Sequence, residues 1–151
     1  MQTKAGIEPE AGGATALGVL LQCQRAVRTL GALQRQRETL LARVTDMSPH
    51  YSHNPHAADR LSDRIGRIVP ELDALTRQID AELLATTDLL RAGSAIVQSL
   101  PTATMQVLAR GYWLCGMTLI DAARAVPICE SHAWRLHRKI EERLSGVAQG
   151  S

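Results

Sequence analysis

From Leu61 to Leu90 the residues Leu61, Ile65, Ile68, Leu72, Leu75, Ile79, Leu83, Thr86 and Leu90 follow one another at steps of three or four, close to a coiled-coil seam. A strand repeats every two residues, so only a helix can gather these side chains on one face, and a helix this long needs a partner to cover its stripe. The partner is in the same chain. Leu17, Leu20, Leu21, Val27, Leu30, Leu33, Leu40, Val44 and Met47 recur at mixed steps of three, four and seven from Ala16 onward. Between the two stretches lies MSPHYSHNPH, Met47–His56, with two prolines and an Asn-Pro pair that break the helix and reverse the chain. Pro70 falls inside the second seam. The apolar phase runs through it unchanged, which predicts one kinked helix or two nearly coaxial ones and not a loop. Gly93 and Ser94 are read as a softening before the tail.

An all-α fold follows: a long antiparallel, coiled-coil-like helical hairpin over residues 16–100, then a smaller helical domain over 101–145. Residues 1–15, rich in Gly, Ala, Glu and Pro, read as a flexible leader, and 146–151 as a flexible tail. Aromatic residues make up only 3% of the chain and Phe is absent, while the β-branched runs favoured by strands are missing. The three cysteines, Cys23, Cys115 and Cys129, are odd in number and share no CxxC spacing, so they read as reduced core thiols rather than a disulfide frame or zinc site. No run approaches the roughly 20 apolar residues of a membrane span, and the first residues lack the order of a signal peptide. A soluble, cytoplasmic protein is expected.

The net charge of +2 says little, but its distribution says more. Residues 16–46 carry five Arg against Glu38 and Asp46, and residues 55–100 carry five Arg against seven acids. Opposite charge on the two arms suits antiparallel pairing. Arg25, Arg28, Arg35, Arg37 and Arg43 can serve in that pairing or can grip a DNA backbone, and pairing is the favoured use. Arms of this length are expected to pack on a further copy, making a homo-oligomer.

The stretch from Leu100 to Leu144 reads as three short helices. Pro101 and Thr102 suit the opening of the first, whose inner face is Met105, Leu108 and Tyr112, and Gly116 ends it. Thr118 can cap the second, Leu119–Val126, where the small Ala122 and Ala123 allow a close helix crossing. Pro127 and Ile128 supply the turn. The third begins near Cys129, with Ala133, Leu136, Ile140 and Leu144 inward by spacing. Ser131, Arg135 and Arg138 fall opposite, flanked by His132 and Lys139. A helix fits the major groove of B-form DNA, where Arg bonds a guanine edge in pairs and Ser or His reaches bases or phosphates. Ser131, His132, Arg135 and Arg138 are therefore the groove candidates, and Lys139 and Arg124 the phosphate candidates.

At these residues the tail resembles region 4 of bacterial sigma factors and, more closely, the phage transcriptional regulators of the ArpU/RinA type. That family's Arg-Tyr, Gly, short helix, capping Ser and Arg-Leu-His are matched by Arg110-Gly111-Tyr112-Trp113, Gly116, Ala122-Ala123, Cys129 and Arg135-Leu136-His137. Family members often carry a paired-helix amino-terminal part, so the resemblance spans most of residues 17–144. Four departures stand out: Gly111 intrudes between Arg110 and Tyr112, Pro127 replaces a turn glycine, Ala122 an Ile, and Cys129 a Ser. Cysteine caps poorly. The resemblance implies a phage or prophage regulator that binds promoter DNA, often for late genes, with host RNA polymerase as a further partner and a place at the nucleoid.

Other features weigh less. His50, His53 and His56 are spaced HxxHxxH but share a turn with Pro49, Asn54 and Pro55, so a solvated loop is favoured over a metal site and none is expected. Trp113 reads as core; Trp134, beside the exposed face, is open between packing and base stacking. The chain has no phosphate-cradling Gly loop, no HExxH and no nucleophile placed with a base, so neither an enzyme nor a cofactor is expected. The alternative is a structural or adaptor protein whose helix-turn-helix grips RNA polymerase or a phage packaging component.

Overall fold

The computed structural model describes residues 15–46 and 55–146. The expected leader, the chain reversal with the side chains of its histidine triplet, and the last residues, 147–151, lie outside the described residues. Among the described residues five helices follow one another: α1 Ala16–Asp46, α2 Pro55–Gln98, α3 Ala103–Ala109, α4 Leu119–Ala125 and α5 Glu130–Leu144, with a π-helical segment at Arg110–Leu114 continuing α3. Among the described residues there is no strand, and the all-α expectation holds. No helix among them is long and apolar enough to cross a membrane.

The two long helices pack against each other. Cys23 of α1 donates to the Leu89 carbonyl of α2 at 3.2 Å, and Leu30 and Leu33 meet Leu75 and Ile79. Ascending numbers in α1 meet descending numbers in α2, the mark of an antiparallel pair. Of the three thiols expected in the core Cys23 alone is buried; Cys115 and Cys129, at the end of the π segment and at the start of the last helix, are exposed. α2 passes through Pro70 without interruption. Proline removes one helical hydrogen bond and presses on the carbonyl four residues back, here that of Gly66. Pro70 is exposed, so its ring contributes little packing in return. Pro70→Ala is expected to stabilise the chain by about 1–3 kcal/mol, read as a higher urea midpoint at unchanged m.

The helix also runs through Gly93 and Ser94, where the sequence suggested a softer approach to the tail. Gly93 is instead a close-contact position: a Cβ there would lie 2.7 Å from Cys23 Sγ and 2.9 Å from Leu114 Cδ2. Two expected seam residues also differ. Leu21 is 43% exposed because its neighbour Leu20, fully buried, takes the inward position. Leu83 is 51% exposed although the seam residues on either side of it, Ile79 and Thr86, are buried.

The chain forms two compact units. One comprises residues 29–84, the distal part of the hairpin; the other joins residues up to Arg28 with Ala85 onward. The second unit holds the larger core, in which Leu20, Val97 and Leu100 share one cluster with Leu108, Trp113, Leu119, Ala122, Ala123, Ala133, Leu136, Ile140 and Leu144. The first turns of α1 and the end of α2 thus pack with the three short helices, where the sequence pattern sets a boundary at residue 100.

Candidate nucleic-acid interface

The three short helices are set by their ends. Thr102, in extended conformation, accepts the Met105 N–H at 3.1 Å through Oγ1 and starts α3. Thr118 does the same for α4, accepting the Asp121 N–H at 3.1 Å. After α4 the Ala123 carbonyl accepts both the Val126 N–H at 3.2 Å and the Ile128 N–H at 3.0 Å, closing a tight turn. Cys129 then occupies the cap position of α5 with the same extended backbone as Thr118 but no side-chain capping bond. Its sulfur lies 3.5 Å from Ser131 Oγ. That hydroxyl and the His132 N–H hold the Cys129 thiol below its ordinary value. Serine at this position accepts a backbone N–H well, so Cys129→Ser is expected to stabilise the chain by about 1 kcal/mol in thermal unfolding.

The join between α3 and α4 is unusual. Cys115 N–H bonds the Arg110 carbonyl at 2.9 Å, five residues back, and Met117 N–H bonds the Gly111 carbonyl at 3.0 Å. A π segment holds one residue more per turn than an α-helix and leaves a carbonyl without its usual partner. The Tyr112 carbonyl is supplied from α1: Gln24 Nε2 donates to it at 3.1 Å, and Gln24 is buried. Gly111, the residue that intrudes between Arg110 and Tyr112, lies in this segment, where a Cβ would come within 3.0 Å of Ala122 Cβ. Gly116 then turns the chain at φ 73°, a conformation open to glycine.

These anchors fix how α5 faces outward. Ala133, Leu136, Ile140 and Leu144 are all buried, as their spacing predicts, and His137 joins them. Ser131, Arg135, Arg138 and Lys139 are exposed and His132 is half-buried. Ser131, Arg135 and Arg138 lie on one ridge, and Arg135 is shared with the adjacent ridge of His132 and Lys139. Arg124 is on α4, exposed, with its guanidinium 3.2 Å from Asp121. A surface pair of this kind is weak and does not withhold the cation from a phosphate. Trp134, 50% exposed, borders the same ridge, and Glu142 lies on its C-terminal continuation. The face is therefore basic in its first two turns and mixed beyond them.

Behind the ridge is an aromatic cluster that the sequence did not reveal. His137 stacks on Trp113 at 5.1 Å and meets Tyr112 at 5.0 Å and Trp134 at 5.6 Å edge-on. Its Nδ1 lies 3.5 Å from Glu141 Oε1, while Nε2 is buried without a hydrogen-bond partner among the described residues. Burial lowers the imidazole below its ordinary 6.5, and the Glu141 carboxylate opposes that shift. Above the unfolded-state value the ring is neutral in both states. As pH falls through it, the unfolded chain takes up a proton that the folded chain resists, and stability is lost. The melting temperature is expected to fall between about pH 7 and about pH 5, and the His137→Asn variant to show a shallower fall over that range.

Comparison of the chain with known protein families, with curated proteins and with solved structures found no match.

Proposed function

We propose that this chain is a sequence-specific duplex-DNA-binding transcriptional regulator, of the kind found in phages and prophages and acting at the host nucleoid. The observation that carries the reading is the outward face of α5. Ser131, Arg135 and Arg138 project from a helix that buries Ala133, Leu136, His137, Ile140 and Leu144 on its other side, and a tight turn joins that helix to α4. Arg at such positions bonds guanine edges in the major groove, with Ser131 and His132 beside it and Lys139 and Arg124 on the flanking phosphates. No cofactor or catalytic step enters this reading.

The test is selection of the purified protein against a random duplex library at moderate salt, with an Arg135→Ala, Arg138→Ala variant beside it. A recovered motif that the variant loses supports a sequence-specific reader. Failure of the intact protein to enrich any sequence removes the proposal.

The adaptor reading, in which this surface grips RNA polymerase or a packaging component, draws on a different observation. Met117, Ile120 and Trp134 are large apolar side chains exposed at 39%, 42% and 50%. Protein interfaces favour such residues. A DNA reader loses affinity steeply with salt, whereas an adaptor shows no duplex binding even at low salt.

A further inference from the structure

The arginines of α1 are not equivalent. From Ala16 to Arg37 the chain carries Arg25, Arg28, Arg35 and Arg37 and no acid, so α1 has no carboxylate of its own within two turns of Arg28 on either side. A helix turns about 100° per residue. That sets Arg28 about 140° round from Cys23, whose thiol meets the Leu89 carbonyl, and about 160° round from Leu30, which packs with Ile79. Arg28 thus faces away from α2 and its acids. It is exposed, and among the described residues it is in no ion pair. The pairing between the arms that its sequence position suggested does not occur there.

What Arg28 does meet is the turn that leads into α4. Gly116, at φ 73°, lies so close to α1 that a Cβ there would stand 3.2 Å from Val27 Cγ1 and 3.9 Å from Arg28 Cγ. Gln24, one turn before Arg28, holds this placement through its 3.1 Å bond to the Tyr112 carbonyl. Gly116 comes two residues before Thr118, the cap of α4. Met117 and Thr118 are exposed, as Arg28 is, so the guanidinium stands beside the open entrance to α4. At the other end of that helix Arg124 is exposed too, and Asp121, the one acid of α4, lies 3.2 Å from the Arg124 guanidinium.

In a helix-turn-helix the second helix enters the major groove and the first crosses the sugar-phosphate backbone. α4 holds that first position, with an arginine of its own at one end and Arg28 of α1 at the other. We infer that Arg28 binds a backbone phosphate of the duplex beside the start of α4, so that the first long helix is itself part of the DNA contact. The inference rests on the reading of α5 as a DNA-binding helix. A guanidinium presents its donors in a fixed fork that matches phosphate geometry, and a contact of this kind sets the position of the protein on the duplex without reading its sequence.

Affinity measured against salt tests it, on the full chain with the duplex recovered by selection and with a scrambled duplex of the same composition. Arg28→Ala should weaken binding to both alike and lower the slope of log affinity against log salt by about one, with the preferred sequence and the thermal midpoint unchanged. Arg28→Lys keeps the charge and should keep the slope. Wild-type affinity and slope in Arg28→Ala, beside a motif that still depends on Arg135 and Arg138, overturn the inference and leave the reading of α5 standing. A changed preferred sequence in Arg28→Ala overturns it as well, because a phosphate contact carries no sequence information. An intact chain that binds no duplex even at low salt removes the reading of α5 and this contact with it.

Discussion

Trp113→Ala is expected to lower the stability of the chain by about 3–5 kcal/mol, read from urea or thermal unfolding. Trp113 is 1% exposed and is the largest fully buried side chain. It packs in the cluster that joins α1, α2 and the three short helices, stacked on His137 and edge-on to Tyr112 at 5.0 Å. Removing it opens a cavity that those elements cannot easily close, because the π segment holding it is tied at Tyr112 by Gln24. The loss is a large part of the roughly 5–15 kcal/mol that a domain holds in total. Trp113→Phe should cost less than half as much. It keeps most of the ring volume and removes a buried Nε1–H that has no hydrogen-bond partner among the described residues, so the polar part of the exchange is neutral or favourable. A phenylalanine variant as unstable as the alanine one would show that the full indole surface stacked on His137, and not ring volume in general, holds the cluster.

The residues that pattern could place are those whose position follows from local spacing. The inward side of α5, the threonine starts of α3 and α4 and the continuity of α2 through Pro70 are each set within a few turns of helix, where apolar period and end chemistry speak directly. The weak cap at Cys129 is of the same kind. What spacing could not place depends on contacts far apart in sequence. Gln24 is a polar residue on an apolar helix face, and its burial makes sense only once the Tyr112 carbonyl, 88 residues on, needs a donor. Gly93 looked like a joint because glycine weakens helices, yet it is small to admit Cys23 and Leu114. His137 lay in a basic stretch, and its place in an aromatic cluster depends on the extra residue that the π segment absorbs. Within the candidate face the sequence named the charged side chains and left Trp134 open; the structure exposes it beside Arg135 and Arg138.

If α5 reads DNA, removing Arg135 and Arg138 together should abolish sequence discrimination while leaving the fold unchanged. Both side chains are exposed, so their loss opens no cavity and leaves the buried face of α5 intact. Arg135→Ala alone should weaken binding to a cognate site by about 1–3 kcal/mol. The two lie three residues apart on one ridge, so the double variant need not show the sum of two singles. Lys139→Ala and Arg124→Ala should behave differently, weakening all sequences alike and reducing the slope of log affinity against log salt by about one each. The acids sharpen the expectation. Glu142 continues the ridge of Ser131, Arg135 and Arg138, and a carboxylate there repels the phosphate backbone. Contact should therefore be confined to the first turns of α5, and Glu142→Gln should raise affinity for every duplex without changing which sequence is preferred. A change of preferred sequence in that variant would place the C-terminal half of α5 in the groove instead.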